Sequence, residues 1–295
     1  MRVDASSKAA CPPGEARRNV LRLLYLPWTW LVFIPSLALC TLFFGTIAIL
    51  LSYVWPRASV AMGYFYGWVL CRLNFVFVSV RGWSNLVPGV SYVMVSNHQS
   101  HFDVLILMGH IWRDFKWVIK EELRHIPVFG RACQRIGHIH INRKDRQKAI
   151  EALNAARPRL VGGTCVLFFP EGTRSPDGRM REFKKGAFVM ALDLGLPILP
   201  ISVSGTNAIL PGRSFKLLPG LARVTIHPAV DPGAYGAEGK DRLMADVRAI
   251  IASGLTEWER GWVPERESSA PCPSERPPAA ERTVHPPSGL SGDPV

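Results

Sequence analysis

The sequence has few charged residues for its length and no closely spaced cysteines. Only 20% of its 295 residues are charged and 48% are hydrophobic, which excludes a disordered chain, a collagen-like chain and a highly charged coiled coil. The six cysteines include no Cys-x-x-Cys pair, so the sequence indicates neither a zinc knuckle nor a disulfide framework. We therefore expect a reducing, cytosol-facing environment in which the cysteines act as small hydrophobic residues.

Signatures of nucleotide, metal and nucleic-acid chemistry are missing as well. There is no Gly-x-x-x-x-Gly-Lys-Ser/Thr loop and no Gly-x-Ser-x-Gly elbow, so neither a nucleotide P-loop nor a nucleophilic serine is supported. Because no helix-turn-helix, RRM-like or zinc-finger pattern occurs, we expect no nucleic-acid partner. His138 and His140 form a His-x-His pair on a predicted strand. Without a third ligand they are interpreted as structural, and no metal is expected.

Positive charge is in excess. Lys and Arg (35) outnumber Asp and Glu (23) by 12. This excess favours an anionic partner, which can be nucleic acid, a phosphate-bearing substrate or the headgroups of a membrane. Charge alone does not choose among the three.

The N-terminal quarter of the chain is strongly apolar. No charged side chain occurs from Leu23 through Pro56, and the proline-free stretch Ser36 to Trp55 is 20 residues long, enough to span a hydrocarbon core of roughly 30 Å. A second apolar stretch, Ala58 to Val80, contains one charge, Arg72. Basic residues flank the apolar region on both sides, so a single span, a helical hairpin and a bent helix lying in one leaflet all stay open.

Changes in composition divide the chain into four segments. We predict a basic flank (1–22), one or more membrane-associated helices (23–80), an α/β domain (81–263) and a disordered, proline-rich tail (264–295). In the third segment β-branched runs alternate with helical stretches, which predicts a mixed sheet flanked by helices. The predicted strands are Tyr92 to Ser96, Lys116 to Ile119, His138 to Ile141, Thr164 to Phe169, Ile198 to Val203 and Ala222 to His227. The predicted helices are Asp103 to Trp112, Asp145 to Leu160, Lys185 to Leu194 and Asp241 to Glu259.

One segment pairs a histidine with an aspartate directly after a predicted strand. Ser96 to Asp103 reads SNHQSHFD, and His98 can take a proton from a hydroxyl if its other ring nitrogen donates to Asp103. The same residues fit a capping box, in which Ser100 caps the helix and Asp103 is its acidic third residue. The two interpretations are compatible. Because no nucleophilic Ser or Cys accompanies the pair, it favours direct proton removal from an acceptor hydroxyl.

A second segment has the residue types that bind phosphate. Phe168 to Ser175 reads FFPEGTRS and is followed by Arg179, Arg181, Lys184 and Lys185. An arginine presents a planar fork to phosphate oxygens, and a glycine beside a hydroxyl residue lets backbone N–H groups approach closely. On composition alone, a solvated basic loop with a structural proline explains the same residues.

Together the two segments resemble the motifs N-H-x-S-x-x-D and F-P-E-G-T-R-S of the 1-acyl-glycerol-3-phosphate acyltransferase (lysophosphatidate acyltransferase, PlsC-like) family. The resemblance covers about residues 85 to 230, with weaker family blocks in the same order. These blocks are Lys120 to Leu123, Ile126 to Gly130, Gly137 to Arg143, Phe183 to Ala187 and Leu196 to Ile201. One departure is Asn142, which stands where the family commonly has an aspartate.

The resemblance implies a reaction and a set of roles. A fatty acyl group would pass from acyl-CoA or acyl-carrier protein to the sn-2 hydroxyl of lysophosphatidic acid, giving phosphatidic acid, with no metal or bound cofactor. His98 would be the general base and Asp103 its orienting partner, while His101 would line the site. The implied acceptor-phosphate residues are Glu171, Gly172, Thr173, Arg174, Lys120 and Arg143.

The family also implies a location, and the residues leave alternatives open. The N-terminal helices would hold the protein to the cell (inner) membrane, with the active site on its cytoplasmic face. An alternative acceptor is glycerol-3-phosphate or another lysolipid such as lyso-ornithine lipid, whose carboxylate Arg174 can also bind. In a different class, the chain would be a non-catalytic basic protein that binds membranes or anionic lipids, which has no need of the His98 and Asp103 pair.

Overall fold

A computed structural model describes residues 15–142, 145–160, 162–212, 214–236 and 238–261. Arg143, most of the basic flank and the predicted disordered tail lie outside the described residues. Within them the chain forms a seven-stranded sheet with helices on both faces, which confirms the predicted α/β class. The strands are β1 (Val76–Arg81), β2 (Val93–Ser96), β3 (Phe115–Lys120), β4 (Ile139–Ile141), β5 (Cys165–Phe168), β6 (Ile198–Ser204) and β7 (Gly220–Ile226).

The sheet is mixed and its strand order is β1-β7-β6-β2-β5-β3-β4. Strands β6, β2, β5, β3 and β4 are mutually parallel, whereas β7 is antiparallel to β6 and β1 is parallel to β7. Every residue of β2, β5 and β6 is buried. This is the pattern of central parallel strands that helices cover on both faces, and it explains their predominantly apolar sequences.

The helices divide between an apolar N-terminal group and those of the α/β domain. The helices are α1 (Glu15–Leu24), α2 (Leu26–Trp28), α3 (Ile34–Val54), α4 (Pro56–Leu73), α5 (Phe102–His110), α6 (Phe129–Ile136), α7 (Arg146–Ala156), α8 (Gly186–Leu194), α9 (Thr206–Ile209) and α10 (Lys240–Ser253). A π-helical turn, Thr29–Phe33, joins α2 to α3. One buried cluster places α4 and α5 against one face of the sheet, and a second places α8 and α10 against the other.

The apolar N-terminal helices form an antiparallel hairpin that packs on the domain. Leu26–Val54 is one continuous helix, long and apolar enough by length and composition to cross a membrane. Ser59 Oγ on α4 donates to the Ala48 carbonyl on α3 at 2.8 Å. Where α4 crosses α5, a Cβ atom at Gly67 would lie only 2.4 Å from the Leu105 carbonyl oxygen. The glycine therefore sets the distance between the hairpin and the domain.

The second apolar stretch differs from the predicted helix. It is helical only to Leu73, and from Val76 the chain continues as edge strand β1 inside the sheet. Phe75, with a φ of 53°, makes the turn, and the Asn74 amide donates to the Leu70 carbonyl at the helix end. The sheet thus begins before residue 81, the start predicted for the α/β domain.

The six predicted strands and four predicted helices all exist, with boundaries that differ by up to six residues. The largest difference is at α10, which ends at Ser253 because Gly254 follows. Strand β1 and helices α1, α6 and α9 are not among the predicted elements.

Candidate active site

The two motif segments meet at one edge of the sheet. Strands β2 and β5 are adjacent and parallel, so the chain leaves both strands at the same edge. The Ser175 N–H donates to the His98 carbonyl oxygen at 2.8 Å and links the two segments directly. Segments that are about 70 residues apart in the sequence therefore form one site.

His98 and Asp103 form a hydrogen-bonded pair. His98 Nδ1 lies 2.8 Å from Asp103 Oδ2, and the same oxygen accepts the backbone N–H groups of Gln99 at 2.6 Å and Ser100 at 2.8 Å. The Asp103 side chain is fully buried, whereas 13% of the His98 side chain is exposed. A carboxylate held by these donors accepts the proton of Nδ1 in a hydrogen bond, which leaves Nε2 of the neutral ring able to accept a proton.

Two residues outside the predicted set hold the histidine in place. Phe169 stacks on His98 with 4.0 Å between the ring centroids and 20° between the planes. The Asn97 amide both donates to the Val203 carbonyl and accepts the Val203 N–H, each at 2.8 Å. Both residues stand in the two motif segments, Asn97 directly before His98 and Phe169 two residues before Glu171. Their partners could not be predicted, because Val203 is 106 residues from Asn97.

Glu171 faces inward and connects the two segments. Glu171 is only 3% exposed. Its Oε1 accepts the His98 N–H at 2.8 Å, and its Oε2 accepts the Arg181 N–H at 3.1 Å. Burial raises the pKa of Glu171 to about 8, although the two N–H donors favour the charged form. Both carboxyl oxygens contact backbone rather than open space, so Glu171 shapes the site by fixing the backbone at His98 and Arg181.

Arg174 lies between two acceptors at the edge of the site. Its Nε donates to the Gly212 carbonyl at 3.2 Å, and its Nη1 donates to His101 Nδ1 at 2.9 Å. Desolvation, followed by the charge of Arg174, lowers the pKa of His101 to about 4. His101 is therefore neutral near pH 7 and acts as an acceptor that orients the guanidinium, while the ring stacks on Phe215.

The remaining predicted residues occupy different positions. Gly172 has a φ of 74°, and a Cβ atom there would lie 2.8 Å from Lys184 Nζ, so the position favours glycine. Thr173 is exposed. Lys120 ends β3 at the same edge of the sheet and forms an exposed ion pair with Glu122 at 3.0 Å. Arg143 lies outside the described residues.

The His-x-His pair is not directed at the active-site pair. His138 is buried, and its Nδ1 accepts the Trp117 N–H at 3.1 Å. Burial, followed by the charge of Lys116, lowers its pKa to about 3. Among the residues that the structure describes, no three His, Cys, Asp or Glu side chains are grouped to hold a metal ion.

The arrangement can activate a hydroxyl group next to an anion. The oriented imidazole supplies a base, and the guanidinium of Arg174 lies near the same loop. With a mixed α/β sheet and an apolar helical hairpin, these features fit an acyltransferase that works at a membrane. Consistently, the family model described as Acyltransferase matches residues 60–204.

Comparisons with individual proteins specify the family. The chain is 32% identical over 262 residues to a 1-acyl-sn-glycerol-3-phosphate acyltransferase of Chlamydomonas reinhardtii, covering 85% of this chain and 74% of that protein. It is 31% identical to the enzyme of the same name from Escherichia coli, covering 84% and 99%. It spans about half of the chloroplastic relative from Brassica napus. The chain belongs to the 1-acyl-sn-glycerol-3-phosphate acyltransferase family.

A solved structure supports the same assignment. The crystal structure of the 1-acyl-sn-glycerophosphate (LPA) acyltransferase PlsC from Thermotoga maritima aligns with a TM-score of 0.70 at 27% identity. The alignment covers 84% of this chain and all of that one. The resemblance found in the two motifs is thereby confirmed for the fold as well as for the sequence.

Proposed function

We propose that the protein transfers a fatty acyl group from a thioester to the sn-2 hydroxyl of 1-acyl-sn-glycerol-3-phosphate, giving phosphatidic acid. The observation that carries the proposal is the 2.8 Å contact between His98 Nδ1 and Asp103 Oδ2 beside Arg174. Relatives named for this reaction in bacteria and in plants support the choice of acceptor. The proposed reaction requires no metal and no resident cofactor.

The reaction proceeds by direct attack. The acceptor hydroxyl attacks the thioester carbonyl carbon, and its proton passes to Nε2 of His98, while Asp103 stabilises the imidazolium that forms. When the tetrahedral intermediate breaks down, the C–S bond is cleaved and the thiolate takes the proton from His98. The products are the ester and a free thiol, and the histidine returns to its neutral form.

Arg174 holds the acceptor phosphate in this proposal. Its guanidinium is oriented by His101 and the Gly212 carbonyl, so little conformational freedom remains to be lost when a phosphate binds. Fixing the phosphate places the hydroxyl of the same small molecule next to His98, and positioning of this kind supplies much of the rate of a two-substrate reaction. Lys120 and Arg143 are further candidate contacts.

The apolar hairpin lies on the membrane surface rather than across it. Helix α3 is about 30 Å long, and both halves of the segment that contains it touch the α/β domain. Phe33 stacks on Phe102 with 5.7 Å between ring centroids, and at the other end Arg135 Nε donates to Ser52 Oγ at 2.8 Å. A helix that crossed the bilayer would carry one end away from the domain.

The outer side of the hairpin is suited to lipid. Large apolar side chains there are exposed, and they include Leu39, Leu42, Phe43, Leu50 and Val54. An apolar face of this kind inserts into the boundary between headgroups and acyl chains. The excess basic charge suits the anionic, cytoplasmic face of the cell membrane, where the acceptor lipid would enter from the hairpin side.

The experiment that tests the function is thiol release from oleoyl-CoA. Detergent-solubilised protein is offered lysophosphatidic acid, glycerol-3-phosphate and lyso-ornithine lipid in parallel. We expect release with lysophosphatidic acid alone and its near-complete loss in His98→Ala, since general-base assistance contributes roughly 10²- to 10⁴-fold. Equal release with all three acceptors, or retained turnover in the folded variant, would refute the proposal.

A further inference from the structure

A cleft lies next to the active site and has Glu171 among its lining residues. This basic cleft has a volume of about 490 Å³. Its lining residues are Glu171, Met180, Arg181, Glu182, Phe183, Lys184 and Arg248. Glu171 is the link to the active site, because its Oε1 accepts the His98 N–H and its Oε2 accepts the Arg181 N–H. The cleft is thus adjacent to the catalytic loop and separate from the contacts of Arg174.

Three cations of the cleft are without a neutralising carboxylate. Arg181, Lys184 and Arg248 form no ion pair within the described part of the chain, whereas neighbouring Lys185 pairs with Asp241 at 3.0 Å. Glu182, the other acidic lining residue, forms no ion pair with them either. Glu171 directs both carboxyl oxygens to backbone N–H groups. Three unpaired cations around one cleft form an anion site, and two of them are arginines that can bind phosphate with two parallel hydrogen bonds.

The apolar floor of the cleft lies on the face of the sheet opposite the apolar hairpin. Its apolar floor, Met180 and Phe183, belongs to the buried cluster that contains α8 and α10, and Arg248 is on α10. The apolar hairpin packs with the cluster on the opposite face of the sheet. A lipid acceptor that enters from the hairpin side does not need this cleft. A water-soluble substrate can approach it without crossing the hairpin.

We propose that the basic cleft binds the phosphate groups of coenzyme A, the carrier of the acyl group. The inference rests on the proposed acyl transfer, which needs a thioester donor in addition to the lipid acceptor. Coenzyme A carries several phosphate charges at one end of a long, flexible pantetheine arm, and its thioester is at the other end. Phosphates held by Arg181 and Arg248 leave the arm to pass Glu171 and bring the thioester carbonyl to His98.

The test compares two donors that differ in their phosphates. Oleoyl-CoA carries the nucleotide and its phosphates, while oleoyl-pantetheine carries the same thioester and no phosphate. In Arg181→Gln and in Arg248→Gln we expect the KM for oleoyl-CoA to rise about tenfold. This is the change expected when one partly exposed hydrogen bond between an arginine and a phosphate is lost. The KM values for oleoyl-pantetheine and lysophosphatidic acid, and kcat, stay as in the wild type.

Arg242→Gln is the matched control. Arg242 is on the same helix as Arg248 and its side chain is 82% exposed, so the substitution makes the same change of charge outside the cleft. We expect wild-type KM values for both donors. An equal rise of the KM for oleoyl-CoA in Arg242→Gln would overturn the assignment, because the effect would then come from the overall charge of the protein. An equal rise of the KM for both donors in the cleft variants would also overturn it, because the effect would then be a change in structure.

Direct binding separates a failure of the cleft from a failure of the function. Coenzyme A is titrated calorimetrically into the detergent-solubilised wild type and Arg248→Gln without any acceptor. Weaker binding in the variant supports the cleft whether or not lysophosphatidic acid is the acceptor. Normal turnover with unchanged KM and unchanged binding in both variants refutes the cleft and leaves the function intact. Turnover with acyl-carrier protein alone, with no binding of coenzyme A, also refutes it.

Discussion

Replacing Asp103 with asparagine separates the negative charge of the carboxylate from its hydrogen bond to the histidine. In the wild type Asp103 Oδ2 is 2.8 Å from His98 Nδ1, so the carboxylate selects the tautomer with a proton on Nδ1. An asparagine has one acceptor and one donor. Gln99 and Ser100 donate to the same Oδ2 as Nδ1 does, so an amide oxygen in its place keeps all three donors and keeps the ring proton on Nδ1. The ring can still accept a proton from the substrate at Nε2, but the imidazolium that forms then faces a neutral amide instead of a carboxylate.

The magnitude follows from the lost charge. We expect kcat to fall about 10- to 100-fold, because a hydrogen bond to a charged group contributes about 1.5 to 3 kcal/mol. The substitution also removes a buried charge from two backbone donors, which costs about 2 to 4 kcal/mol of stability. The KM for lysophosphatidic acid stays near its wild-type value, because Asp103 does not reach the phosphate site.

The assay is steady-state thiol release at saturating concentrations of both substrates, with thermal melting as the check on folding. The ¹⁵N chemical shifts of the His98 ring report the tautomer directly. A folded Asp103→Asn protein with the kcat of the wild type would refute the role of the carboxylate charge. A ring that carries its proton on Nε2 would refute the reasoning from the shared oxygen.

Three other perturbations test the surroundings of this pair. The pKa of Glu171 is raised to about 8 in the folded protein. Its contribution to the free energy of unfolding is therefore full below about pH 4.5 and declines as the pH rises to 8, because the folded state then keeps a proton that the unfolded state has lost. Glu171→Gln should remove that part of the pH dependence of the melting temperature, and an unchanged slope would contradict the assignment. Arg174→Lys should raise the KM for lysophosphatidic acid about tenfold, because a lysine cannot bond His101 and a phosphate in the same geometry; a change confined to the donor KM would count against it. Gly67→Val should lower the melting temperature more than Gly186→Val, since a Cβ atom at Gly67 meets the Leu105 carbonyl while one at Gly186 meets nothing within 4 Å.

The sequence predicts the pairing of His98 with Asp103, but it does not predict the aromatic ring that packs on His98. The pair exists in the structure and the capping box exists in part. Asp103 Oδ2 accepts the Ser100 N–H, but Ser100 Oγ accepts the Phe102 N–H at 3.1 Å and not the Asp103 N–H. Local spacing is sufficient to predict this pair, because Asp103 follows within five residues of His98 and binds the loop that contains it. The stack of Phe169 on His98 depends on the pairing of β2 with β5, which no local pattern reports.

Two further residues illustrate what a linear pattern leaves out. The family motif predicts that Glu171 helps to form the phosphate site, and the motif says nothing of its partners, which are backbone N–H groups 73 and 10 residues away. Strand β1 was not predicted because its apolar residues continue a helix, and only the turn at Phe75 and the pairing with β7 separate the two. In both cases tertiary contacts, rather than composition, decide the outcome.

The contact between Phe33 and Phe102 has a practical consequence for anyone who works with the protein. Phe102 is the residue before Asp103, and Phe33 covers it from the membrane hairpin. Truncating the chain to obtain a water-soluble enzyme would expose a buried aromatic ring one residue from the aspartate that orients the base. The lipid-binding part and the catalytic part are therefore not separable modules, and a loss of activity after truncation would not measure the need for a membrane.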